Sequence, residues 1–210
     1  MLLKKYLINL DKSYSKHKFS GVSCNSKNIK KGDIFFSIRG NNQNGNLFIK
    51  DAIKRGAKTI ISDQNYSGYN KDVLFIKDKN PRKLLSILAN KIYKNKPSNL
   101  IAVTGTNGKS SVANFYYQIL KLNHYKVASI GTLGVQTHVK KYPTLNTTSD
   151  PITLNKIFNN IKKQKINNVI LEASSHGLKQ HRLDGIQFNT GIFTNLSRDH
   201  LDYHNSYKDY

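Results

Sequence analysis

Leu100-Ile101-Ala102-Val103-Thr104-Gly105-Thr106-Asn107-Gly108-Lys109-Ser110-Ser111 is an apolar run of strand length that breaks into a glycine-bearing turn and leads into the helical segment Val112 to Leu122. Strand, glycine-rich turn and helix in that order make a phosphate-binding element, because backbone N–H groups and the positive end of the helix dipole converge on one anion. In such a loop Lys109 reaches the β- and γ-phosphates of a nucleotide and the Ser110 hydroxyl ligates Mg²⁺. The common pattern G-x-x-x-x-G-K-[ST] is not met, since Val103 stands five positions before Gly108; the match is the shorter Gly105-Thr106-Asn107-Gly108-Lys109-Ser110. The competing reading is a glycine-containing turn with one more solvated lysine, and the flanking strand and helix argue against it.

Outward from the loop, short apolar runs alternate with amphipathic stretches, the pattern of an α/β chain with parallel strands. Lys126 to Ile130, Asn168 to Leu171 and Thr190 to Phe193 read as buried strands, with Leu154 to Lys163 as a crossover helix. That order predicts a doubly wound nucleotide-binding domain. Upstream, Asp33 to Ile38, Lys58 to Ser62 and Val73 to Ile76 read as strands, and Leu47 to Arg55 and Arg82 to Tyr93 as helices. The polar, proline-bearing break Lys94-Asn95-Lys96-Pro97-Ser98-Asn99 sets the expected boundary, giving domains 1–97 and 98–210. Ser206 to Tyr210 reads as the start of a helix, so the second domain is expected to be incomplete on its C-terminal side. No internal repeat is visible.

At 210 residues the chain can bury a sizeable core. Lys and Arg number 34 against 12 Asp and Glu, a formal charge of +22, which raises a basic nucleic-acid-binding protein as an alternative reading. The lysines are spread over nearly every segment, however, and form no single stripe. Cys24 is the only cysteine, which excludes an internal disulfide and a cysteine zinc cage and suits a reducing cytoplasm. Neither a signal-peptide core nor an unbroken apolar run of membrane-spanning length is present, so no membrane insertion is expected.

The Thr104 to Ser111 stretch resembles the Mur ligase family, which also includes folylpolyglutamate synthetases. Further segments carry the resemblance across nearly the whole chain: Asn25-Ser26-Lys27 with Lys31-Gly32-Asp33-Ile34-Phe35, Leu145-Asn146-Thr147-Thr148, Leu171-Glu172-Ala173-Ser174-Ser175-His176-Gly177-Leu178, Gln180-His181-Arg182, and Phe193 to His204. Within the family they are most similar to the branch that adds the third residue of the peptidoglycan stem peptide. The resemblance implies a small N-terminal α/β uridine-binding domain followed by a P-loop-type ATPase domain, with the C-terminal ligase domain absent. It implies an ATP-dependent ligase acting through an acyl phosphate on UDP-N-acetylmuramoyl-L-alanyl-D-glutamate, with meso-diaminopimelate favoured over L-lysine as the incoming amino acid, and a monomer with no nucleic-acid partner. Gly105, Thr106, Asn107, Gly108, Lys109, Ser110 and Ser111 would hold ATP; Ser110, Glu172 and His200 would hold Mg²⁺, with Lys109, Glu172 and His200 as the catalytic set. Asn146, Thr147, Thr148, Ser174, Gln180 and Arg182 match positions that hold the UDP-muramoyl dipeptide, and Cys24, Ser26, Asn41, Asn42 and Gln43 those that receive its uridine end. A piece of this length that binds nucleotides without catalysis is the other reading the resemblance leaves.

The chain departs from the family at Asn25-Ser26-Lys27, where Asp-Ser-Arg is usual, losing a carboxylate and replacing a planar fork by a point charge. Asn44-Gly45 replaces an Asp-Gly or His-Gly step and still suits a turn. Glu172 could be a structural carboxylate paired with lysine, yet an acidic group at the end of an apolar strand is better explained by a metal. His200 and His204 share an i, i+4 spacing but lack the Glu of a zinc motif, so His204 is expected on the surface or in a turn. His176 and His181 could be packing or capping residues, Arg182 suits a bidentate contact to phosphate or carboxylate, and Phe115-Tyr116-Tyr117 is expected in the core.

Overall fold

The computed structural model describes residues 1–7, 10–40, 43–198, 203–204 and 206–210, and divides into two compact units, Met1–Ile92 and Tyr93–Tyr210. In the first unit, β1 (Val22–Ser23), β2 (Ile34–Phe36), α1 (Ile49–Lys54), β3 (Thr59–Ser62), β4 (Gly68–Asn70), β5 (Val73–Lys77) and α2 (Pro81–Ile92) follow in chain order. The sheet order is β1-β2-β3-β5-β4, parallel except for the β4–β5 pair. All three residues of β2 and all four of β3 are buried, the signature of a parallel strand covered on both faces. Phe35, Ile60 and Val73 join Ile49 and Ala52 of α1 in one cluster. The expected Leu47 to Arg55 helix is split: a 3₁₀ turn over Gly45–Phe48, capped by the Asn44 side chain, precedes α1.

The second unit contains β6 (Asn99–Thr104), α3 (Lys109–Leu122), β7 (Val127–Gly131), β8 (Gly134–Thr137), β9 (Lys141–Tyr142), α4 (Pro151–Lys163), β10 (Asn168–Glu172), α5 (Ser175–Lys179) and β11 (Thr190–Phe193). Its sheet runs β11-β6-β10-β7-β8-β9, with the first four strands parallel and the last two antiparallel. Side chains alternate between faces along a strand. Val103 and Ile170 pack with Ala113 of α3, whereas Leu100, Val169 and Leu171 pack with Leu154, Ile157, Phe158 and Ile161 of α4. The two helices therefore cover opposite faces of a doubly wound sheet, as the strand and helix order predicts. The chain leaves β6 for β7 and returns to insert β10 between them, so the C-terminal ends of β6 and β10 lie beside each other where a crevice forms in open α/β sheets.

Three expectations are corrected. Helix α3 starts at Lys109 rather than Val112, because the first turn forms directly off Gly108 and carries Lys109 and Ser110 with it. Ser206 to Tyr210 forms one hydrogen-bonded turn, with Asp209 and Tyr210 N–H both donating to Ser206 O, and no helix. Of the aromatic triplet on α3, Tyr117 is buried and Tyr116 packs against the sheet, but Phe115 is 60% exposed, since three successive helical residues point in directions about 100° apart. The hairpin strands β8 and β9 and the short α5 carry no period long enough to read from sequence.

Phe158 is fully buried on α4, so Phe158→Ala is expected to cost about 3–5 kcal/mol, read from the denaturant midpoint. In the first unit, the His17 ring bonds Tyr69 Oη through Nδ1 at 2.9 Å and Thr59 Oγ1 through Nε2 at 2.8 Å, and burial holds its pKa below the usual 6.5. The native state thus keeps His17 neutral while the unfolded chain protonates it. Its contribution is complete above about pH 6.5 and is lost as pH falls from there toward the lowered native value. Thermal melts between pH 7.5 and 5 should show that slope, and His17→Gln should flatten it.

Candidate functional site

The turn between β6 and α3 is built by backbone conformations that glycine supplies. Gly105 has φ +133°, and a Cβ there would lie 2.1 Å from Thr194 Oγ1 and 2.8 Å from Asn195 O. The close approach exists because the segment after β11 braces the loop. Asn195 O accepts from Thr106 N–H at 3.0 Å, Asn195 Oδ1 accepts from Asn107 N–H at 3.0 Å, and Thr194 Oγ1 donates to Asn107 O at 2.6 Å. Ser197 N–H donates to Thr106 Oγ1 at 2.9 Å. These contacts fix the loop before any ligand arrives, which lowers the ordering cost of binding an anion.

Lys109 Nζ turns back over this loop and donates to Gly105 O at 2.6 Å and Thr106 O at 2.8 Å. Its ammonium therefore stands at the positive end of the fourteen-residue α3, where helix dipole and lysine add for a phosphate. One position on, Ser110 Oγ donates to Glu172 Oε2 at 2.8 Å. Glu172 ends β10 in parallel register with Val103 of β6, which is why a residue 62 positions from Ser110 reaches it.

Glu172 is 2% exposed, and its carboxylate accepts from Ser110 Oγ, from Thr132 N–H at 3.0 Å and from Thr132 Oγ1 at 3.1 Å. Among the described residues, no lysine, arginine or histidine forms an ion pair with it. A buried anion that meets neutral donors alone is suited to a cation from outside the chain, and a carboxylate beside a hydroxyl is an oxygen donor set for a hard divalent ion. The reading of Glu172 as a lysine-paired structural carboxylate thus finds no partner there. Gly131 makes the fit possible, because a Cβ at that position would lie 2.1 Å from Glu172 Oε1.

Thr147, Thr148, Ser174, Gln180 and Arg182 gather at the same strand ends. Thr148 is fully buried; its Oγ1 donates to Glu172 O at 2.8 Å, accepts from Ser174 N–H at 2.9 Å and lies 3.0 Å from Ser174 Oγ. Ser174 caps α5 by accepting from Gly177 N–H. Arg182 donates from Nη1 to Thr148 O at 2.5 Å and from Nη2 to Gln180 Oε1 at 2.8 Å. Thr147 Oγ1 lies 3.1 Å from Thr132 Oγ1. Asn146 is exposed and enters only through its carbonyl, which accepts from Thr144 Oγ1 at 3.0 Å.

Of the remaining candidates, His200, Asn41 and Asn42 lie outside the described residues, and Ser111 is exposed on the first turn of α3. In the first unit Cys24 is exposed and Ser26 buried, with the Ser26 hydroxyl holding the Asp51 carboxyl below its ordinary pKa, assisted by Arg55. Asn25 keeps the local turn without a carboxylate, since its Oδ1 accepts from Lys27 N–H at 3.0 Å as an aspartate would. Gln43 O accepts from Gly40 N–H at 2.7 Å. His176 stacks on Tyr203 at 3.9 Å, and His181 Nδ1 lies 3.2 Å from Asp184 Oδ2. His204 sits in a bend, one of the two places expected for it, but the surface alternative is corrected: it is 3% exposed, packed against Tyr203, Tyr210 and His176, because the terminal turn folds back onto α5. Thr194, Asn195 and Ser197 fall in the Phe193 to His204 segment that carries the resemblance but have no individual role in the sequence reading; Thr132 is not singled out by sequence, since it follows a short strand and carries no motif of its own.

A doubly wound sheet with a braced phosphate loop and a strand-end carboxylate against it defines a P-loop-type nucleotide-binding protein. Residues 18–93 match the family described as Mur ligase family, catalytic domain, and residues 103–210 match the Mur ligase middle domain. The chain belongs to the Mur ligase family. It is 43% identical over 207 residues to UDP-N-acetylmuramoyl-L-alanyl-D-glutamate--2,6-diaminopimelate ligase of Rickettsia montanensis, covering 96% of this chain and 43% of that protein. The protein of the same name from Clostridium tetani is 38% identical over 213 residues, covering 100% and 44%. A solved structure of an enzyme with that name superposes with a TM-score of 0.83 at 28% identity, over all of this chain and 42% of its own. The chain thus spans less than half the length of these relatives. Among the described residues, no helix is long and apolar enough to cross a membrane.

Gly105→Ala is expected to destabilise the second unit by about 1–3 kcal/mol through strained backbone and the contact with Thr194. Adding Thr194→Ala should restore only part of the loss in thermal melting, because Asn195 O stays in place.

Proposed function

We propose that this chain carries the uridine-nucleotide and ATP domains, residues 1–97 and 98–210, of a ligase that adds meso-diaminopimelate to UDP-N-acetylmuramoyl-L-alanyl-D-glutamate in peptidoglycan synthesis. The observation that carries the reading is the Ser110–Glu172 hydrogen bond, which sets the phosphate loop beside a carboxylate that forms no ion pair among the described residues, at the edge of the Thr147, Thr148, Ser174, Gln180 and Arg182 cluster. The names of the relatives at 43% and 38% identity support the choice of diaminopimelate over L-lysine. The protein acts as a monomer in the cytoplasm, and its +22 charge attracts the anionic UDP-sugar and ATP rather than nucleic acid.

In this reaction the substrate carboxylate attacks the γ-phosphorus of ATP, ADP leaves, and the amine of the incoming amino acid displaces phosphate from the acyl phosphate. Catalysis is positioning and charge neutralisation. Lys109 releases the carbonyls of Gly105 and Thr106 and turns its ammonium to the transferring phosphoryl group. Gly105 to Ser111 cradle the phosphates. Arg182, with Thr147 and Thr148, orients the acceptor carboxylate. Ser110, Glu172 and His200 would hold Mg²⁺, which would supply charge neutralisation of the phosphate oxygens. Cys24, Ser26, Asn41, Asn42 and Gln43 receive the uridine end.

A second reading is favoured by the fraction of the relatives that the chain covers, 43% of the first. The chain then binds both nucleotides and turns over only with the remaining part of such a ligase supplied. Binding calorimetry with ATP, Mg²⁺ and UDP-N-acetylmuramoyl-L-alanyl-D-glutamate, alongside an assay for the tripeptide product, separates the readings. Binding with product supports the first, binding without product the second, and absence of binding overturns both. Lys109→Ala should weaken ATP binding at least about tenfold; undiminished binding would sink the role given to that lysine. Tight nucleic-acid binding that persists at high salt, with no ATP binding, would replace the proposal by the basic-protein alternative.

A further inference from the structure

Thr132 is the first residue after β7 and belongs to no motif, yet it supplies two of the three hydrogen bonds to the Glu172 carboxylate, from N–H at 3.0 Å and from Oγ1 at 3.1 Å. The same Oγ1 lies 3.1 Å from Thr147 Oγ1. A hydroxyl has one proton to donate, and an ionised carboxylate can only accept. With the Thr132 proton committed to Glu172, the proton between the two threonines comes from Thr147. The donor order is therefore fixed as Thr147 to Thr132 to Glu172, a chain in which each bond polarises the next. The contact is not incidental to a mobile loop, because Thr144 Oγ1 lies between the same segments, within hydrogen-bond reach of Gly131 O at 3.3 Å and Asn146 O at 3.0 Å.

We propose that Thr132 is a positioning residue that couples the dipeptide-binding loop to the metal-binding carboxylate. An anionic substrate group that takes the Thr147 proton withdraws it from Thr132 and changes the polarisation and orientation of the hydroxyl that holds Glu172. Occupation of the acceptor site is thereby felt where the cation binds, and by reciprocity cation binding is felt at the acceptor site. The inference rests on the proposed function for the identity of the two ligands and adds the route between them.

The test is the Mg²⁺ concentration giving half-maximal ADP binding by the 210-residue chain, with and without UDP-N-acetylmuramoyl-L-alanyl-D-glutamate. The unsubstituted chain should show a shift of about fivefold or more between the two conditions. Thr132→Val keeps the branched shape and the N–H and should abolish the shift, whereas Thr132→Ser keeps the hydroxyl and should retain it. Thr147→Val leaves both Thr132 bonds to Glu172 intact and, measured at a concentration of UDP-N-acetylmuramoyl-L-alanyl-D-glutamate shown by calorimetry to saturate the variant, should also abolish the shift, which keeps the test decisive if Thr132→Val does not fold. A full shift in Thr132→Val or in Thr147→Val, or none in Thr132→Ser, overturns the inference. Mg²⁺-dependent ADP binding with no shift in the unsubstituted chain overturns the inference alone; no such ADP binding overturns the proposed function along with it.

Discussion

The arrangement depends on a buried carboxylate with no cation beside it among the described residues. Removing Glu172 from water is costly unless its oxygens are satisfied, and the fold meets that cost with two hydroxyls and one backbone N–H from two separate segments. Each donor arrives by a different structural device. Ser110 is brought by a helix that begins at Lys109, Thr132 by the end of β7, and Glu172 itself by the pairing of β10 between β6 and β7. A one-residue slip of β10 would turn Glu172 to the opposite face and leave the carboxylate among the packed helices, so sheet register and site geometry are the same constraint.

The loop shows a related economy. Its shape is set less by its own residues than by the segment after β11, whose side chains and carbonyls take up the N–H of Thr106, the N–H and carbonyl of Asn107 and the hydroxyl of Thr106. Lys109 completes the set by covering two loop carbonyls with its ammonium. The resting loop therefore has its polar groups largely paired, and a phosphate exchanges one set of electrostatic contacts for another instead of ordering a flexible turn. The Thr148, Ser174 and Arg182 cluster is constructed in the same way, with a fully buried threonine serving as acceptor and donor at once.

Much of the second unit was legible along the chain. Long apolar runs bounded by turn residues locate β6, β7, β10 and β11, and the strand, turn and helix succession around Gly105 fixes the class of fold. The errors have local physical causes. Phe115 lies among aromatics that read as core, but helical geometry points it outward; His204 reads as polar and terminal, but the last turn lays it on α5. Strands β8 and β9 are too short for a period of two to stand out, and α5 is barely more than one turn.

What the sequence by itself determined is chemistry carried by contiguous residues: the phosphate loop from Gly105 to Ser111, the acidic end of an apolar strand at Glu172, and the resemblance spread over the rest. What only the tertiary structure decided is which distant groups share an atom. Thr132 is 40 positions from Glu172 and 15 from Thr147, and nothing in its neighbours along the chain marks it. It acquires its place because parallel pairing sets the ends of β7 and β10 close together, and hydrogen bonds form between atoms in space without regard to their order in the chain.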